Sequence, residues 1–418
     1  MGDILMISKN SIKYLLILIN MLILISGCSA KKQYNRNIDL TKLQYEDTVE
    51  INDNDSKINT KVKDNLRSST KDTKNPITND NPKKETVYKK VKALYLTGWT
   101  AGNEDKINYF IDLANKTEIN AYVIDIKDDD GYVAYQSQLE QVKSANTWIQ
   151  KYNVDSVIKK MHDNDIYVIG RLVCFNDPKF SAVRPDLAIK KSEGSLYRDN
   201  RNHTWLNPYK KESWDYLINL AKEAVNRGFD EIQFDYVRFP SDGNQSLIDY
   251  GVNGIEKHNI ISEFLEYAKQ QLVDVPVSAD VYGIICESPG DTENIGQYLE
   301  ITGKNIDAIS PMVYPSHYAV GQVVNGVKYA KPDLEPYSVV YNTLIKAKER
   351  LSKVEGYNAK VRPYLQAFTA TWLGNGYYQR YGAEQIKQQI KAVYDAGYDE
   401  WILWDPANKY PEEALMPE

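Results

Sequence analysis

Phe229-Asp230-Glu231-Ile232-Gln233-Phe234-Asp235-Tyr236-Val237-Arg238-Phe239-Pro240 is the stretch on which the fold turns. Side chains on a strand alternate between two faces. Ile232, Phe234 and Tyr236 share one face, and Gln233 and Asp235 share the other. The apolar face suits contact with helices. The polar face suits the interior of a closed barrel, where side chains from neighbouring strands bond one another. Just upstream, residues 213–226 have helical periodicity and run into Gly228, placed to close a helix in the left-handed conformation. Gly397 stands in the same relation to residues 383–396.

The same unit recurs outward in both directions. Strands are predicted at 93–97, 121–126, 166–174, 231–236, 275–281, 308–314, 361–368 and 400–404. Amphipathic helical stretches lie between them, among them 108–115, 213–226, 260–272 and 383–396. Eight such units in about 320 residues fit an α/β (β/α)8 TIM barrel over residues 90–418. An open doubly wound sheet would want a G-x-G-x-x-G turn after the first strand, and Ala93-Leu94-Tyr95-Leu96-Thr97 has none.

The rest of the chain reads differently. Lys9 and Lys13 flank an apolar run at 15–25, too short to cross a bilayer, which takes about 20 residues. The run ends in Ile25-Ser26-Gly27-Cys28, which resembles a bacterial lipobox. Residues 1–27 are therefore expected to be a lipoprotein signal peptide, with Cys28 lipidated and the protein exported to the outer face of the cell membrane. Residues 28–89 are rich in Lys, Asp, Asn and Thr and contain no Phe, Trp or Gly. Such a segment cannot bury enough apolar area to offset its ordering entropy and reads as a disordered tether.

Composition narrows the function. The net charge of −6 and the absence of a Lys/Arg cluster argue against a nucleic-acid face. Cys174 and Cys286 both sit in apolar strand-end contexts and read as two separate buried thiols. No C-x-x-C occurs, and the first strand lacks the His-x-His of metal-dependent hydrolases on this fold, so no metal and no cofactor are expected. Asp128-Asp129-Asp130-Gly131 could offer oxygen ligands to Ca²⁺ but reads first as an exposed acidic turn. A monomer is expected.

Strand parity places Asp125 and Lys127 inward on the second strand and Arg171 on the third. Ser278 and Asp280 follow on the fifth, Arg362, Tyr364 and Gln366 on the seventh, and Asp405 closes the eighth. Any one of these carboxylates reads equally well as half of a structural ion pair. Their convergence at the C-terminal mouth, where barrels keep their sites, points to a reaction centre. Glycoside hydrolysis needs two carboxyl groups across the scissile bond. Adjacent strands lie about 4.8 Å apart, so Asp235 and Asp280 could approach the roughly 5 Å separation of a retaining mechanism. The long excursion at 175–209 is expected to help build the site. Trp99, Trp205, Trp372 and Trp404 are placed to stack on sugar rings, with His203, His317 and Tyr314 nearby; packing between loops is the alternative for each.

The run at 229–240 resembles the signature of a bacterial family described as glycosyl hydrolases. Tyr122-Val123-Ile124-Asp125-Ile126-Lys127-Asp128, Ser278-Ala279-Asp280-Val281-Tyr282-Gly283 and Ile309-Ser310-Pro311-Met312-Val313-Tyr314-Pro315 also resemble it, in order. The family is more distantly similar to α-amylase-type barrels. That resemblance implies a nucleophile at Asp235 and a proton donor at Asp280. The fifth-strand acid here is Asp and not Glu, Arg238 follows the nucleophile instead of preceding it, and the seventh strand ends in Gln366 without a His-Asp pair. On this reading Asp280 should have a raised pKa, and Arg238 should fold back to hold Asp235 ionised. Asp125, Lys127, Arg171, Arg238, Trp99, Trp205, His317, Tyr314, Gln366, Trp404 and Asp405 are the expected substrate-binding residues. The expected function is a cell-surface glycosidase acting on a polysaccharide or wall glycan. A glycan-binding lipoprotein without catalysis is the competing reading.

Overall fold

A computed structural model of the protein describes residues 90–252 and 254–416. Cys28, the leader and the polar segment through residue 89 lie outside the described residues. Eight strands form the barrel: β1 Lys92–Leu96, β2 Ala121–Lys127, β3 Tyr167–Val173, β4 Glu231–Asp235, β5 Val277–Tyr282, β6 Ala308–Met312, β7 in two pieces (Lys360–Val361 and Tyr364–Gln366), and β8 Trp401–Trp404. Each pairs in parallel with its neighbour in chain order, and β8 pairs with β1, so the barrel is closed. All eight predicted strands are present, shifted at their ends by up to two residues. The break in β7 falls at Pro363, which has no N–H to give to the ladder.

Helices α1 Glu104–Lys116, α2 Val154–Asp163, α3 Lys211–Asn226, α4 Lys257–Gln271, α5 Pro336–Leu351 and α6 Ala383–Asp395 cover the outside. Asn103 and Asn153 cap α1 and α2, their side chains accepting from Lys106 and Ser156 N–H. After β5 the connection holds the 3-10 turn Gly283–Cys286 and the single helical turn Leu299–Thr302, and after β8 the described chain has a short turn at Glu412–Ala414. Gly228 and Gly397, at φ 105° and 79°, adopt the positive φ expected of helix-closing glycines.

The apolar face of β4 does what its alternation implies. Ile232 and Phe234 are fully buried against the helices, and Phe234 meets Phe264 of α4 edge to face at 5.3 Å. Gly170 of β3 packs closely under its neighbours: a Cβ there would come within 2.5 Å of the Ile126 side chain, which would have to shift.

Inside the barrel the two halves differ. Ala93, Ala121, Val123, Ile169 and Ile402 fill the side made by β1, β2, β3 and β8. The opposite side is polar and layered. Lowest, Arg362 bridges Glu231 at 2.9 Å and Glu400 at 3.0 Å. Above that, the Tyr364 hydroxyl donates to Gln233 at 2.6 Å, and the Gln233 amide donates to Ser310 at 3.2 Å. The third layer holds Asp235 and Asp280.

Candidate active site

Arg171 of β3 organises the top layer. It is only 2% exposed. Its Nε and Nη2 donate to one oxygen of Asp235 at 2.9 and 2.6 Å. Nη1 donates to Asp125 at 2.8 Å, and Nη2 also reaches Asp129 at 2.7 Å. The guanidinium lies against Trp404 and Tyr95, whose rings stack 3.8 Å apart. Burial opposes the charge on Arg171, but the three carboxylates outweigh it and push its pKa well above the usual guanidinium value. Arg171 therefore takes the role expected of Arg238 and holds Asp235.

The second oxygen of Asp235 accepts from the N–H of Tyr236 at 2.6 Å. That bond accompanies an unusual backbone: Tyr236 has φ 47°, a left-handed conformation uncommon outside glycine and often found at functional sites. The strand ends at Asp235, so Tyr236 leaves the helix-facing parity expected of it and lines the cavity instead.

Asp280 has a different environment. It is 1% exposed, and one of its oxygens has no hydrogen-bond partner. Burial pushes its pKa well above the usual carboxylate range, and the charge of Asp235 adds to the effect. In register, Gln233 pairs with Ser278 and Phe234 with Ala279, so Asp235 and Asp280 are the next residues on their adjacent strands. Both line a cavity of about 410 Å³ at the C-terminal mouth. Arg171, Arg238, Tyr314, His317 and Trp404 line it too. Burial lowers the His317 pKa, which favours a neutral imidazole.

Several expected site residues lie elsewhere. Asp125 is behind Arg171, bonded to it and to the Tyr95 hydroxyl at 2.8 Å. A register shift between Asp125 and Lys127 breaks the parity of β2. Lys127 consequently pairs with Asp177 at 2.8 Å, fully buried and away from the cavity. Gln366 is spent on loops, accepting from Ser316 N–H at 3.1 Å and donating to Asp333 at 2.9 Å. Asp405 accepts from Ala407 and Lys409 N–H and fixes the turn after β8. Trp99 is 61% exposed, outside the cavity lining, with Lys151 over its ring. Trp205 is 1% exposed; its indole N–H donates to Asp199 at 3.0 Å and its ring supports Arg238. The excursion 175–209 lends support from behind and contributes no residue to the cavity lining.

Other residues join without having been expected. Asp129, read as part of an exposed turn, reaches the cavity, and the Tyr236 hydroxyl donates to it at 3.2 Å. Burial alone would raise its pKa, but Arg171 holds it below the usual value. Asp128 is likewise occupied, paired with Lys151 and accepting from Tyr132 N–H. Tyr282 and Gln297 also line the cavity, as does Tyr364, which strand parity places inward. Cys174 and Cys286 are separate buried thiols.

A family model described as "Putative glycosyl hydrolase domain" matches residues 93–410. No curated protein matches the sequence. Among solved structures, a hypothetical protein from Ruminiclostridium thermocellum ATCC 27405 is 58% identical over 45% of this chain and 97% of its own, with a TM-score of 0.43. The glycoside hydrolase domain of PgaB (BpsB) from Bordetella bronchiseptica is 11% identical, with a TM-score of 0.57 over 79% of this chain and all of its own. The spore cortex-lytic enzyme SleL from Bacillus megaterium QM B1551 is 13% identical over 78% of this chain and 73% of its own, with a TM-score of 0.45. The likeness to PgaB is one of fold.

Proposed function

The chain belongs to this family of glycosyl hydrolase domains, and from that premise we propose that it is a glycosidase using Asp235 as nucleophile and Asp280 as acid/base. The observation that carries the reading is the contrast between two carboxyl groups facing one cavity. Asp235 is held by Arg171 through two hydrogen bonds, while Asp280 is buried with an unpartnered oxygen and a raised pKa, which favours the protonated acid.

In the first step an oxygen of Asp235 bonds to the anomeric carbon as the glycosidic C–O bond breaks. Asp280 gives its proton to the departing oxygen. In the second step a water molecule attacks the anomeric carbon, its proton passes to Asp280, and the bond to Asp235 breaks. Two inversions retain the anomeric configuration. Arg171 holds Asp235 in place and disperses its charge without leaving the site. Tyr236, Tyr314 and Trp404 offer ring faces to the sugars.

The substrate on this reading is a polysaccharide or cell-wall glycan. The lipobox at Cys28 supports the further proposal that the enzyme is held on the outer face of the cell membrane by lipid chains. The test is product analysis over a panel of polysaccharides and wall glycans, with Asp235→Asn as the blank. Products from the native chain with retained configuration, absent with Asp235→Asn, are expected. Full activity in Asp235→Asn would remove the assignment. Glycan binding with no products from either form would favour a binding lipoprotein.

A further inference from the structure

Four cationic side chains are buried among the described residues: Lys127, Arg171, Arg238 and Arg362. Three of them answer to carboxylates. Lys127 meets Asp177, Arg171 meets Asp125, Asp129 and Asp235, and Arg362 meets Glu231 and Glu400. Arg238, 6% exposed, has no carboxylate within ion-pair distance among the described residues.

Its guanidinium is nevertheless fixed. Nη1 donates to the Phe239 carbonyl at 2.9 Å and to the Ser241 hydroxyl at 3.3 Å. The rings of Tyr282, Tyr236 and Trp205 surround it at 4.7, 4.9 and 5.1 Å. Ser241 is itself bonded to the Tyr282 hydroxyl at 3.0 Å. The other N–H groups of Arg238 have no protein partner, and none is among the fully buried polar atoms that lack one. Those groups are thus not sealed from solvent, and Arg238 lines the cavity.

A buried cation without a counter-charge is costly, and ring faces offset only part of that cost. An exposed guanidinium edge in a rigid frame is also the geometry that takes an oxyanion through two parallel N–H bonds. We propose that the cavity accepts a glycan bearing an anionic substituent, carboxylate or phosphate, and that Arg238 selects it. Tyr236 directly follows Asp235 and Tyr282 lies two residues beyond Asp280, and all four line the same cavity as Arg238. That the ligand is a glycan rests on the glycosidase reading; that it is anionic rests on Arg238.

The test uses matched pairs: oligogalacturonate and its carboxyl-reduced form, hyaluronan oligosaccharide and its carboxyl-reduced form, and phosphomannan with and without its phosphate. Each is titrated calorimetrically into the full chain, into Arg238→Gln and into Arg238→Lys, with thermal midpoints recorded to confirm folding. At least one anionic glycan is expected to bind the native chain ten-fold or more tightly than its neutral partner. That ratio should collapse toward one in Arg238→Gln and fall at least three-fold in Arg238→Lys, which keeps the charge and loses the fork. The pair that responds identifies carboxylate or phosphate. Equal or better binding of the neutral forms, binding of no anionic member, or an unchanged ratio in either folded variant would overturn the proposal. Where Arg238→Gln does not fold, Arg238→Lys decides. Products are followed on the same glycans: charge-selective binding without products leaves this inference standing and removes the hydrolase reading, and products without charge selection do the reverse.

Discussion

Replacing Asp280 with Asn tests the state of the key carboxyl group without any substrate. Asn matches a protonated Asp in size and is neutral, so it should sit in the same buried place. The native protein differs in one respect: its carboxyl must either keep a proton or become a buried anion beside Asp235. Burial and the charge of Asp235 raise the folded-state pKa well above the unfolded value, about 3.9. Below the unfolded value both states hold the proton and no stability is lost. As pH rises from there, the unfolded chain releases its proton while the folded chain keeps it. Stability then falls by about 1.36 kcal/mol per pH unit until the folded group also ionises. Asp280→Asn has no such term. Its advantage over the native chain should grow from near zero at about pH 4 to roughly 3 kcal/mol at about pH 6 if the proton is still held there. Urea unfolding of both proteins at several pH values measures the difference directly. On substrates with poor leaving groups the same variant should lose about two to four orders of magnitude in rate, the usual worth of a general acid. A stability difference that does not change from pH 4 to 8 would show that Asp280 ionises in the folded protein as it does in the unfolded chain and cannot be the donor.

Three other changes probe the assignment. Arg171→Met removes the one cation shared by Asp125, Asp129 and Asp235 and should cost about 3–5 kcal/mol in urea unfolding, as breaking a buried ion pair does; a loss under 1 kcal/mol would mean that the carboxylates find other partners. In Asp235→Ala, external azide should restore part of the activity on an activated glycoside, because a small anion can fill the vacated position; an Asp235→Ala enzyme that is inactive and insensitive to azide would count against a nucleophile there. Cys28→Ala should move the protein from the membrane to the medium or leave it unprocessed, read by fractionation and mass spectrometry, and unchanged membrane partition with an unmodified Cys28 would exclude lipidation.

Alternation was legible in the sequence wherever a strand is regular. Glu231, Gln233 and Asp235 do point inward, and Ile232 and Phe234 do face the helices, because those five residues are one uninterrupted strand. Counting by twos failed where regularity ends. The register shift in β2 turned Lys127 toward Asp177, and the positive φ of Tyr236 swung its ring into the cavity. Neither event has a local sequence signal, since no glycine or proline marks it. Partner choice was harder still. Arg238 is close to Asp235 in sequence, yet Arg171, 64 residues away along the chain, is the one that reaches it, because β3 and β4 are hydrogen-bonded neighbours that place Val173 opposite Asp235. The sheet order of a barrel contains that information: an inward Arg two residues before the end of β3 must lie beside the inward carboxylate ending β4.

The same reasoning explains why four strand-end carboxylates reduce to two. A carboxylate at a barrel mouth can be consumed by a neighbouring cation, by backbone N–H groups, or by neither. Asp125 is consumed by Arg171 and Tyr95, and Asp405 by the turn it caps. Asp235 is bonded to Arg171 yet still lines the cavity. Asp280 is bonded to nothing at one oxygen, an expensive arrangement for a group with a purely structural task. A protonated carboxyl pays least for that isolation, and it has a hydrogen to give once a glycosidic oxygen arrives. On the proposed reading that unsatisfied atom belongs to the proton donor, and it becomes visible only when the side-chain partners of all four carboxylates are known.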